Sequence, residues 1–87
     1  MKVKVKCEEI EGEGLLALLG KRVTLFCMNY IYTGDLEGVN DTCVKLKDAY
    51  IVYETGDFSS SGWKDAQKLA KEFYVQTAAI ESFGICK

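Results

Sequence analysis

The sequence predicts a small, mainly β domain: about five strongly bent antiparallel strands curled into a barrel behind a short N-terminal helix. Three observations predict it. Apolar and polar residues alternate over 23–27 and again over 44–47. Gly34 interrupts a run of β-formers, and a glycine inside a strand marks a bend or a close approach. The run 73–80 carries no charge until Glu81, and the chain has no proline to block an exposed sheet edge.

The 87 residues make a single domain, read as 1–87. A domain of this size buries a modest core, and help often comes from oligomerisation. Along the chain, residues 1–12 form an arm in which Lys2, Lys4 and Lys6 alternate with small apolar residues before Glu8, Glu9 and Glu11. Residues 13–19 read as a helix of about two turns, with Leu15, Leu16, Leu18 and Leu19 as its apolar stripe and Gly20 at the C-cap. The first strand follows over 23–27, with Val23, Leu25 and Cys27 on one face. Asn29 marks a turn, and 30–39 is a second strand with Gly34 in its middle. Asn40-Asp41 is a turn pair. Val44 and Leu46 alternate with Lys45 and Lys47 in a third strand, and 50–54 continues extended after Asp48-Ala49.

Residues 55–62 are a loop by composition, with Gly, Asp and three consecutive serines. Residues 63–72 have helical spacing, with Ala66, Leu69, Ala70 and Phe73 on one face and Ser61 as cap. Together 55–72 reads as a variable loop with a helix-like insert. The end, 73–80, is a last strand pair or one bent strand.

Composition bounds the chemistry. There is no histidine, which removes the commonest general base and every His-activated nucleophile. Cys7, Cys27, Cys43 and Cys86 contain no C-x-x-C pair, so no metal site or cofactor is expected and the cysteines read as buried or idle thiols, with a disulfide as the minor reading. An enzyme is therefore not the expectation. The net charge of −2 speaks against a broad, sequence-independent grip on nucleic acid. No apolar run reaches the roughly 20 residues of a membrane span, and the N-terminus lacks the apolar stretch of a signal peptide, so the expected location is cytoplasmic with no membrane partner.

Three segments carry a family likeness: Leu19-Gly20-Lys21-Arg22-Val23, then Tyr32-Thr33-Gly34-Asp35-Leu36-Glu37-Gly38-Val39-Asn40, then Leu46-Lys47-Asp48-Ala49. The chain resembles the Sm and Sm-like family, its Hfq-related branch included, over about 15–83. Gly34, Leu36 and Asn40 fit the family's first motif: a glycine in the second strand, a hydrophobic residue two positions on, and a polar turn before the third strand. The resemblance implies an Sm-like barrel that assembles into a homo-oligomeric ring of about five to seven subunits, held by strand four of one subunit on strand five of the next. It also implies single-stranded RNA as a partner, with nucleotides at the turns after strands two and four, near Asn40 and Gln76-Thr77.

The departures weaken that second implication. The family's turn aspartate is Asn40 here, and the base-holding asparagine is replaced by Cys43 or Val44. The arginine-glycine pair of the second motif reads Val75-Gln76-Thr77-Ala78, and the Hfq lysine-histidine pair is missing. The candidate RNA contacts are thus Asn40, Gln76 and Thr77, with Lys21 and Arg22 for phosphates. The candidate subunit interface is Phe73, Tyr74, Val75, Gln76, Thr77, Ala79 and Ile80, with Gly34 and Leu36 as structural residues. The alternative reading is a structural ring that scaffolds protein partners and binds no RNA. Each of these residues also has a plainer use: tyrosines form strands, Asn40 shapes a turn, and Lys21-Arg22 is a solvated charge pair.

Overall fold

The structure, a computed structural model, describes residues 14–87. The arm over 1–12, with its lysines, and Glu13 lie outside the described residues. Five strands form one antiparallel sheet: β1 (Arg22–Cys27), β2 (Ile31–Val39), β3 (Cys43–Glu54), β4 (Asp65–Gln76) and β5 (Ile80–Gly84). Their order across the sheet is β4-β3-β2-β1-β5. The expected barrel is not closed by hydrogen bonds, because β4 and β5 are the two edges and pair only with β3 and β1. A 3-10 turn, Thr77–Ala79, joins β4 to β5. No helix among the described residues is long and apolar enough to cross a membrane.

The sheet bends where β2 and β3 fall out of step. Asp35 pairs with Lys47, but Thr33 pairs with Tyr50, so Gly34 faces an extra residue on β3. Such a bulge turns the strand and exchanges the faces of its alternation. Val44 and Leu46 point into the core before it, and Ala49 and Ile51 after it. Asp48 takes a φ of 51°, a left-handed conformation that aspartate tolerates better than most residues. A Cβ on Gly34 would stand 3.1 Å from Leu46 Cβ and 3.1 Å from the Lys47 carbonyl oxygen, closer than most side chains pack. Arg22 ties the bend: its guanidinium donates to Asp35 Oδ1 at 3.2 Å and to the Asp48 carbonyl at 3.1 Å, and lies over the Tyr50 ring.

The core sits on one face of the sheet. Val23, Leu25, Leu36, Val44, Leu46, Ala49 and Val75 are buried together, and Leu15 and Leu18 pack against them. Burying each large aliphatic side chain contributes roughly 1.5–3 kcal/mol. Thr33 is buried on the opposite face, and its hydroxyl donates to the Val23 carbonyl at 2.8 Å.

Two expectations change. The N-terminal helix is one 3-10 turn, Leu15–Leu18, not two α-helical turns. Gly14 and Gly20, both at positive φ, bracket it, and so short a segment holds only by packing. The helix-like insert does not form: 65–76 is the strand β4. Its less exposed positions are Ala66, Ala70, Phe73 and Val75. Ala49 pairs with Ala70 but Tyr50 with Lys68, so Leu69 bulges out. Irregular register spreads the inward residues four, three and two positions apart, which imitates helical pitch.

Candidate functional site

The β2–β3 turn and the β4–β5 corner meet in space. The turn is organised by the Asn40 side chain. Its Oδ1 accepts from the Thr42 amide at 2.8 Å, the Thr42 hydroxyl at 3.0 Å and the Cys43 amide at 2.9 Å. This is an Asx-type turn, in which the side chain stands in for a backbone carbonyl. Cys43 pairs with Gln76 across β3 and β4. Beyond that pair, Thr77 donates its amide to the Thr42 carbonyl at 2.9 Å and its hydroxyl to the Asp41 carbonyl at 3.0 Å. An open groove of about 630 Å³ results, lined by Asp41, Thr42, Cys43, Tyr74, Gln76, Thr77 and Ala78.

Three of the residues picked for RNA contact are therefore brought to one place: Gln76 and Thr77 in the groove wall, and Asn40 beneath its turn. Their availability differs. Gln76 is exposed, Thr77 is half-buried and tied to Asp41, and the Asn40 carbonyl oxygen is committed to the turn. Lys21 and Arg22 do not line the groove. Lys21 is exposed at the start of β1, where its carbonyl accepts from the Leu36 amide. Arg22 belongs to the bend. No lysine or arginine lines the groove, and Asp41 is the ionisable carboxylate on its wall.

The segment chosen as a subunit interface divides by residue. Tyr74 is 59% exposed and Gln76 is exposed, while Val75 is a core residue across from Val44. Phe73 is half-buried against Tyr32, with ring centres 5.5 Å apart. Ile80 packs against the core and pairs with Cys27, and Ala79 is half-buried and accepts from the Met28 amide through its carbonyl. Of the structural pair, Leu36 is fully buried and Gly34 lies at the bend.

Cys27, Cys43 and Cys86 are free thiols, and no group of three metal-ligating side chains gathers among the described residues. Burial pushes the Cys27 thiol above its ordinary pKa, and Glu81 adds to this, so the thiolate is disfavoured. Lys45 is held above its ordinary value by a hydrogen bond to Glu37, with Glu72 adding to it.

The sequence reading missed the role of Arg22 and the ammonium of Lys87. Lys87 reaches Thr55, Asp57 and Gly62. Both are contacts between residues far apart in the chain, and no local pattern announces them. Comparison with protein-family models and with curated proteins returns no match.

Proposed function

We propose that the chain is a ring-forming module of the Sm-like kind whose groove takes bases of single-stranded RNA. The observation that carries the ring is the open sheet, with β4 and β5 at its two edges. Each edge offers unpaired main-chain donors and acceptors, and β4 of one copy on β5 of the next satisfies both. The contact is head-to-tail, so it closes into a ring of about five to seven copies when the rotation closes. Exposed apolar side chains stand at both edges, Leu69 and Tyr74 on β4 and Phe83 on β5. Sedimentation equilibrium tests this. A closed oligomer that falls apart in Tyr74→Lys is the expected result; a monomer at micromolar concentration would end the proposal.

The groove suits a base better than a phosphate. Tyr74 offers a ring for stacking, Gln76 offers an amide donor and acceptor, and no cation lines the wall. Binding is accordingly weak. Fluorescence anisotropy with short oligonucleotides at two salt concentrations measures it, and Tyr74→Ala and Gln76→Ala should each weaken it. A specific observation favours the second reading, a ring that scaffolds proteins without RNA: Asp41 on the groove wall repels a phosphate backbone. A ring with no oligonucleotide binding at low salt would select it.

A further inference from the structure

The loop over 55–63, between β3 and β4, is curled around one cation. Gly56 takes a φ of 69°, and a Cβ there would meet Lys64 Cβ at 3.2 Å. The Asp57 carboxylate accepts from the Ser59 amide at 2.9 Å and the Ser59 hydroxyl at 2.8 Å. The Ser60 amide donates to the Asp57 carbonyl at 3.0 Å, and the Lys64 amide closes the loop on the Thr55 carbonyl at 3.4 Å. This curl aims three backbone carbonyls at one point.

Lys87 Nζ occupies that point. It donates to the carbonyls of Thr55 at 2.6 Å, Asp57 at 2.8 Å and Gly62 at 2.8 Å. An alkylammonium has three N–H donors and no acceptor, so the three carbonyls use all of them. Two aromatic rings complete the cage. The ammonium lies 4.7 Å from the Trp63 ring centre and 5.3 Å from that of Phe58, within reach of the negative ring faces. The rings stand at 90° to each other, and Phe58 leans on Phe26 of β1. The loop is thereby joined to the sheet face that carries Phe26.

We propose that the 55–63 loop is a receptor for a primary ammonium, with Lys87 as its ligand from the same chain, and that filling the cage folds the loop onto the sheet. Three convergent carbonyls select a group with three N–H bonds. A quaternary ammonium satisfies the rings but leaves the carbonyls without donors. A lysine side chain, or a small alkylammonium in its place, is the chemical class the cage takes.

Lys87→Ala removes the ammonium and its stem, which leaves room for a small alkylammonium. Trp63 is the only tryptophan in the chain, so fluorescence reports the cage alone. The expected result is a red-shifted emission in the variant, with exchange of the Ser60 and Lys64 amides faster by about tenfold. Methylammonium returns both to the wild-type values, while tetramethylammonium at the same concentration does not, and neither changes the wild-type protein. An unshifted emission, or equal responses to the two cations, would overturn the proposal. A second measurement needs no variant. In the wild-type protein the Lys87 Nζ–H3 resonance should be protected from exchange and coupled across hydrogen bonds to carbonyl carbons. A Lys87 signal indistinguishable from those of the other lysines would overturn it equally.

Discussion

The β2–β3 hairpin is divided by its bend, and the two halves end in loops of similar design and opposite outcome. On one side the 40–43 turn is shaped by Asn40 Oδ1 accepting from Thr42 and Cys43. On the other, the 55–63 loop is shaped by Asp57 Oδ1 accepting from Ser59. Both loops then receive a distant part of the chain. The first receives Thr77, a neutral residue that satisfies two carbonyls by its amide and hydroxyl. The second receives Lys87, whose ammonium gathers three carbonyls between two rings. The neutral contact joins rims and leaves a groove open beside it. The charged contact draws its three carbonyls onto one ammonium. One end thus keeps an open groove, and the other is closed on an ammonium.

The comparison breaks most completely at Val75. It lies under the open corner and is 5% exposed, so Val75→Lys buries a charge in the core. A loss of about 3 kcal/mol or more is expected, measured as a fall in the urea midpoint or as no folded state at all. A stable Val75→Lys protein would show that the corner does not rest on the core. For that reason this variant reports on folding, and Tyr74→Lys is the one that reports on assembly.

Gly34→Val attacks the bend that separates the two halves. The side chain would meet Leu46 Cβ and the Lys47 carbonyl, so overpacking of roughly 1–3 kcal/mol is expected in chemical denaturation. An unchanged midpoint would mean that the bend has room to give.

Asn40→Ala removes the acceptor that shapes the open end. The Thr42 and Cys43 amides lose their partner, at a cost of roughly 0.5–1.5 kcal/mol. Amide exchange at Thr42 and Cys43 should quicken while Ser59 stays as it was. Quickening at both ends would show that the halves are coupled through the bend.

The smallest effect uses the one chemical difference between the two turns: an amide does not titrate and a carboxylate does. Hydrogen bonds from the Ser59 amide and hydroxyl hold Asp57 below its ordinary carboxylate pKa, with Lys87 helping. A lowered folded value contributes stability that is present above the unfolded pKa of about 3.9 and is lost as pH falls through the folded value. Lowering the pH through the acid range should therefore move the Ser59 amide resonance, and Asp57→Asn should abolish that movement. A Ser59 resonance that stays still, or that moves equally in Asp57→Asn, would show that the Asp57 carboxylate does not shape the loop.

Much of the strand pattern was legible because alternation is local. Val23, Leu25 and Cys27, then Val44 and Leu46, show their faces within a few residues, and Gly34 stands out among β-formers. The Asn40 turn and the 55–62 loop were legible from side chains that compete for backbone hydrogen bonds. The strand β4 was not. Its inward residues Ala66, Ala70, Phe73 and Val75 lose period two where the register with β3 shifts, and what is left looks like a helix.

By itself, then, the sequence determined which runs are strands wherever the ladder is regular, where the chain turns, and that Gly34 marks a bend or a close approach. It also brought Asn40, Gln76 and Thr77 to notice, though not the reason they share a groove. Tertiary structure alone decided the rest. It left β4 and β5 as open edges, tied Arg22 to Asp35 and Asp48, and set Lys87 among the carbonyls of a loop 25 or more residues away. The physical reason is range. Alternation and turn chemistry act between neighbours in sequence, whereas a bulge, an ion pair or a carbonyl cage exists only after distant strands have set their register against one another.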